Sequence, residues 1–221
     1  MNARNRSVKS GLRYFFVALI TLGNVILAAK AQEAQFYAGV APSTSATSNL
    51  TVHAVNNALI AAGYTNPQTV VDRRDNGFRY FVGYSLHPNV SIELAELDIG
   101  NFSTRTQVTQ GSVNALYVVK ASSLDIVLFL PVTEYLNAFA RGGISNTRMD
   151  ATFSSTGLVQ LAYSRAKKDR VASHYGMGLQ YDLTPHFSFR AEVERFPKLG
   201  DDSTGGDLRL TTFSAGIAVK F

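Results

Sequence analysis

From residue 76 to its end, the chain alternates apolar and polar residues with a period of two, in one segment after another. That period turns successive side chains to opposite sides of an extended backbone, so it commits the chain to strands with two unlike faces. In "GFRYFVGYSL", Phe78, Tyr80, Val82 and Tyr84 stand against Arg79, Phe81, Gly83 and Ser85. In "SLDIVLFL", Leu124, Ile126, Leu128 and Leu130 stand against Ser123, Asp125, Val127 and Phe129. "VSIEL", "SHYGMGLQYDL", "HFSFRAEVE" and the closing "FSAGIAVKF" follow the same rule. With a weaker alternation in "LNAFARGG" and an opening one in "AQFYAGVA", the pattern predicts eight strands. They fall near 34–42, 76–86, 89–101, 113–131, 135–149, 171–183, 186–197 and 207–221.

The links come in two kinds. "HPN" (87–89), "PVTE" (131–134) and "TPH" (184–186) are short, whereas 43–74, 102–112, 150–170 and 198–206 are long and polar. Short turns at one end and long loops at the other are the pattern of barrels that span a membrane. In the first long link, Val52, Val55, Leu59 and Ile60 have helical spacing and Gly63 is placed to end the helix, which predicts a short helix on the barrel rim.

The distribution of charge supports the same fold. Arg79, Glu93, Asp125, Arg190, Glu192, Glu194 and Lys220 share the face that also carries Gly, Ser and Ala, while the opposite face is long-sided, apolar and aromatic. Small residues among charges suit a narrow, ion-paired interior, and the other face suits lipid. A closed barrel also satisfies every backbone donor and acceptor inside hydrocarbon. The expected fold is therefore all-β: an eight-stranded antiparallel up-and-down transmembrane β-barrel.

The first 31 residues differ from the rest. Arg4, Arg6, Lys9, Arg13 and Lys30 occur there with no acidic residue, Phe15 to Ala29 is uncharged, and "AKA" at 29–31 has small residues at both places of a cleavage site. A basic start, a short apolar stretch and that site describe a secretory signal peptide; a membrane-crossing helix would need about 20 apolar residues. The expected division is a signal peptide at 1–31 and a barrel domain at 32–221. Of the 21 Lys and Arg, five belong to the signal, which leaves sixteen against sixteen acidic residues. The net charge of +5 is thus an export feature, and nucleic-acid binding loses its electrostatic footprint. With no cysteine, disulfide and thiolate chemistry are excluded.

The segments "FRYFVGYSLHPNVSIELAELDIGNF", "LPVTEYLNAFARGG" and "YGMGLQYDLTPHFSFRAEVERF" resemble the transmembrane domain of the OmpA family, small outer-membrane barrels of Gram-negative bacteria, in the family's order across 34–221. The resemblance implies an internal ion-pair cluster that includes Glu93 of "SIEL" and Arg190 of "FRAE", with Arg141 and Glu192 on matching inward positions. Val127 and Gln180 stand where the family has a cluster lysine and a further carboxylate. "SAGIAVKF" resembles the terminal assembly signal of such barrels, which implies that Ser214, Gly216, Val219 and Phe221 are read by the outer-membrane barrel assembly machinery. It also implies a monomer in the outer membrane, in contact with its lipid and lipopolysaccharide.

Evidence for other chemistry is slight. The histidines at 53, 87, 174 and 186 lack metal-ligand spacing. His174, Asp150, Ser154 and Ser155 form no local triad motif, so the chain is expected to be neither an enzyme nor a cofactor protein. "SRAKKDR" carries Arg165, Lys167, Lys168 and Arg170 in what reads as a solvated loop able to meet phosphates. "GDDSTGGD" at 200–207 reads as turn chemistry. Because side chains can fill an eight-stranded barrel, a structural and surface-interaction role through the loops is expected, with a narrow channel for ions or small solutes as the alternative.

Overall fold

A computed structural model of the protein describes residues 36–47, 52–160, 164–197 and 209–221. Residues 1–31, expected as the signal peptide, and "GDDSTGGD" at 200–207, expected as turn chemistry, lie outside the described residues. The elements are β1 (Phe36–Thr47), α1 (Val52–Ala61), β2 (Gln68–Asp72), β3 (Arg74–His87), β4 (Val90–Val108), β5 (Gly111–Pro131), β6 (Leu136–Gly157), β7 (Arg165–Asp182), β8 (Phe187–Phe196) and β9 (Leu210–Lys220). All pairings are antiparallel. Neighbouring strands pair in sequence order from β3 to β9, and β1 joins β9 to β3 and closes the ring. The ring has eight strands; β2 is a ninth, short strand that continues the β3 side upward along β4. At Gly100 (φ +122°) a bulge shifts the β4 register, between the β3 pair Phe78–Asp98 and the β2 pair Asp72–Ser103.

The short turns lie where the spacing put them. In two of them a threonine hydroxyl accepts the N–H that begins the next strand: Thr133 from Leu136 (3.0 Å) and Thr184 from Phe187 (3.0 Å). Two of the long links are another matter. The 102–112 link is strand throughout except for the two-residue turn Thr109–Gln110, and most of 150–170 is strand as well. "SRAKKDR" is therefore not a loop: β7 begins at Arg165. Polar alternation above a membrane lacks the apolar contrast that makes a strand visible in sequence, so these extensions read as loops. β6 runs to 22 residues, about twice the 9–11 that a tilted strand needs to cross hydrocarbon, whereas β8 has 10. Strands β4 to β7 thus stand tall above the rest.

The rim helix is present. Leu59 is buried against Val108, Val113 and Val159, with Tyr64 packed beside them. Gly63, at φ +87°, ends α1: its N–H reaches the Ile60 carbonyl (2.9 Å) and the Tyr64 N–H reaches that of Leu59 (3.0 Å). This is a Schellman closure, and only glycine takes that φ without strain. The side chains of Val52 and Val55 lie outside the described set, and Ile60 is exposed.

Around the ring, the long apolar and aromatic side chains point outward. Leu94, Leu124, Ile126, Leu128, Met177, Phe189 and Ile217 are among the exposed large hydrophobics, while Glu93, Asp125, Val127, Arg190 and Ala218 beside them point into the lumen and are buried. This is a lipid-facing barrel, the reverse of a soluble carrier.

Candidate functional site: the ion-paired lumen

Inward alternation brings eight ionisable side chains to one level of the lumen: Arg79 on β3, Glu93 on β4, Asp125 on β5, Arg141 on β6, His174 on β7, and Arg190, Glu192 and Glu194 on β8. None is more than 4 % exposed. The register shows why the space exists. Gly83 pairs with Glu93, Gly143 with Asp125, Gly176 with Glu194, Gly178 with Glu192, and Gly216 with Arg190. Each charged side chain therefore crosses the lumen over a neighbour with no side chain. At Gly176 a Cβ would lie 3.2 Å from Arg141 Cγ.

Arg79 is the hub. Its guanidinium reaches Glu194 (2.8 Å), Glu192 (3.1 Å), Asp125 (3.4 Å) and Glu93 (3.6 Å). Arg141 pairs closely with Glu93 and contacts Glu192 (3.3 Å) and Asp125 (3.4 Å). Glu93 also accepts from Arg190 Nη1 (2.5 Å) and from the Tyr37 hydroxyl (2.8 Å). His174 Nε2 lies 2.6 Å from Asp125 Oδ1 and 3.0 Å from Glu194 Oε1, and its ring stacks on Phe196.

The layers on either side are apolar. Arg190 lies with its guanidinium carbon 4.1 Å from the Phe139 ring centre and 5.0 Å from that of Phe81, so cation–π contact complements its single strong hydrogen bond. Above the charged layer Ile99, Phe102, Tyr117, Val119, Met149 and Leu210 are buried together. Charges taken out of water hold only when each is paired, and a network in which every member touches several opposite charges meets that condition.

Residues 15–221 match the family described as outer membrane protein beta-barrel domain. The chain belongs to that family. Its place is accordingly the outer membrane. Among solved structures, Neisserial surface protein A is 14% identical, covers 84% of this chain and 97% of its own, and superposes with a TM-score of 0.53. Ail of Yersinia pestis, the attachment invasion locus protein, in a structure with the heparin analogue sucrose octasulfate, is 14% identical, with 86% and 100% coverage and a TM-score of 0.51. OprG of Pseudomonas aeruginosa is 13% identical, with 86% and 98% coverage and a TM-score of 0.50. At such identities the likeness is one of fold. Among curated proteins none matches the sequence significantly.

Of the residues expected in the barrel's cluster, Glu93, Arg141, Arg190 and Glu192 are in mutual contact. Four more share it: Arg79, Asp125, His174 and Glu194. The charged face already held three of them in sequence, but nothing in the spacing linked β3, β5 and β8 at one height. Asp125, His174 and Glu194 each offer a ligand atom within 4.8 Å of the others, a grouping that sequence spacing cannot reveal because it spans three strands. Arg79 and Arg141 occupy the same carboxylates, so the grouping is part of the ion-pair network. Val127 is fully buried, and Gln180 donates to Asp182 (3.1 Å), outside the cluster. Lys220, on the charged face, pairs instead with Asp182 (2.8 Å) near the short-turn end.

No triad forms from His174, Asp150, Ser154 and Ser155, since His174 faces the plug and Asp150 lies beside Lys167 (3.7 Å). In the terminal strand, Ser214 Oγ donates to Glu192 (3.2 Å), Gly216 lies against Ala41, and Val219 registers with Phe187 and Ala38. The Phe221 N–H closes onto the Phe36 carbonyl (2.8 Å), with the ring half exposed.

Proposed function

We propose that this protein is exported by cleavage of a signal peptide at 1–31 and inserted as a monomer through the terminal signal Ser214, Gly216, Val219 and Phe221. In this reading it works at its surfaces rather than through its lumen. It braces the outer membrane and presents the tall β4–β7 sheet and α1 for recognition or adhesion, with no catalytic step. One observation carries the reading: Arg79 and Arg141 together contact Glu93, Asp125, Glu192 and Glu194 across the whole barrel width. Aromatic rings below and an apolar layer above complete the closure. Ail, which shares the fold, takes an anionic saccharide analogue, and an anionic surface ligand is the class to try first here.

A narrow channel is the second reading. It is favoured by Arg141 touching three carboxylates, so that exchanging partners would open a polar path. Planar-bilayer recording of the protein purified from outer membranes separates the two. The surface reading expects no steady current above the lipid background, and a long-lived, ion-selective open level supports the channel.

A further inference from the structure

The charged layer of the lumen is not neutral while its histidine is neutral. Arg79, Arg141 and Arg190 supply three positive charges, and Glu93, Asp125, Glu192 and Glu194 supply four negative ones. Lys220 and Asp182 pair apart from them, near the short-turn end. One carboxylate charge is thus left over among the described residues of the layer, where no member is more than 4 % exposed. A buried charge needs a counter-charge.

The contacts show where the surplus falls. Glu93 Oε1 accepts from Arg190 Nη1 and the Tyr37 hydroxyl, and its Oε2 from Arg141 Nη2. Glu192 Oε1 faces Arg79 Nε (3.1 Å) and accepts from Ser214 Oγ, and its Oε2 faces Arg141 Nε (3.3 Å). Asp125 Oδ2 accepts from Ser123 Oγ (2.9 Å), Arg79 and Arg141, and Glu194 Oε2 accepts from Arg79 Nη1 (2.8 Å). Two oxygens remain, Asp125 Oδ1 and Glu194 Oε1. Both face His174 Nε2, at 2.6 and 3.0 Å. Three atoms with lone pairs alone would repel at these distances, so a proton lies among them.

The surroundings suit a cation there. The His174 ring lies nearly parallel to Phe196, 15° apart in plane with centroids 5.0 Å apart, and an aromatic face attracts positive charge. Gly143 registers with both His174 and Asp125. A Cβ at Gly143 would strike Asp125 Oδ1, the oxygen turned to the histidine, so the missing side chain is what lets the two meet.

We propose that Asp125, His174 and Glu194 form a buried proton-binding site, in which His174 is an imidazolium and the fourth cation of the plug. The occupant is a proton rather than a divalent metal ion on two grounds. One positive charge brings the layer to zero, whereas two overshoot. The 2.6 Å between Nε2 and Oδ1 is a hydrogen-bond length, while two ligands on one tetrahedral zinc stand about 3.3 Å apart. Without that proton two carboxylates would converge on a lone pair, so it helps to hold β5, β7 and β8 together across the lumen.

The test is nitrogen-15 NMR of the folded barrel, labelled at histidine, in micelles at neutral pH, with the His174 signals assigned by their loss in His174→Gln. Both ring nitrogens of His174 should carry a proton; a bare nitrogen on that ring overturns the proposal. Urea unfolding in vesicles gives an independent readout. His174→Gln leaves the layer one charge negative and Asp125→Asn leaves it one charge positive, so each should unfold at lower urea than the unsubstituted protein. The double variant is neutral again and should unfold at higher urea than either single. A double variant no more stable than the weaker single overturns the proposal. A retained mobility shift between unboiled and boiled samples shows that each variant is folded. Stoichiometric zinc on the folded barrel, lost in His174→Gln, overturns the proton in favour of a metal. A channel current with the imidazolium in place would defeat the surface-only function and leave this site standing.

Discussion

Arg79 contacts four carboxylates, and its removal leaves them facing one another without their common cation. Breaking one side of a buried ionic network costs about 3–5 kcal/mol, so Arg79→Met should lower unfolding stability in vesicles by that amount. Glu93→Gln, which leaves Arg141 and Arg190 short of a partner, should cost a similar amount, about 3–5 kcal/mol. The glycines beneath the charges give the converse test. Alanine at Gly143 must share space with Asp125 and should cost about 1–3 kcal/mol by overpacking, read from the same unfolding curves. Outside the membrane, Arg148 Nε donates to Asp169 (2.8 Å) and holds that carboxyl below the usual carboxylate range. A carboxyl lowered in the folded state contributes stability above its unfolded pKa and loses it as pH falls through the folded value. The pair should therefore persist at neutral pH and release only as the pH falls below the ordinary carboxylate range. A carboxyl-carbon NMR titration in micelles should place the Asp169 midpoint below the ordinary range, and Arg148→Gln should return it there.

Among the elements, the strands divide into a part that lipid dictates and a part that it does not. Arginine at Leu128, Met177 or Phe189 should cost about 2–4 kcal/mol if hydrocarbon faces these positions, whereas arginine at the exposed Thr152, higher on β6, should cost less than about 1 kcal/mol. Equal tolerance in a folding assay would mean that the band is not in lipid. The same division explains what was legible in sequence. Within the band, alternation between long apolar residues and small or charged ones marked every strand and assigned its faces. Above the band both faces are polar or mixed, as in "NFSTRTQV" and "RAKKDRVA", so the extensions of β4 and β7 read as loops. The rim helix was readable because Leu59 and Gly63 follow helical rules that need no lipid. The cluster was half legible: alternation placed Arg79, Asp125 and Glu194 inside, but their common height depends on strand stagger, which sequence does not encode residue by residue.

At the scale of the whole molecule, a ring of eight strands leaves an interior that its own side chains can fill, and here the filling is layered as aromatic, ionic and apolar. The ionic layer ties β3, β4, β5, β6, β7 and β8 together across the lumen, so the plug and the wall should lose structure in one transition. The absence of cysteine makes a direct test possible, because any introduced thiol is the only one in the chain. Val127 and Ser145 face inward and are fully buried, while Thr109 sits at an exposed turn. The decisive measurement is labelling of Val127→Cys, Ser145→Cys and Thr109→Cys in lipid vesicles with a small, charged, water-soluble maleimide. A closed lumen predicts rapid labelling at position 109 and almost none at 127 or 145 until the barrel is unfolded; labelling of the inward positions at the rate of the turn would mean a continuous water path and contradict the plugged barrel.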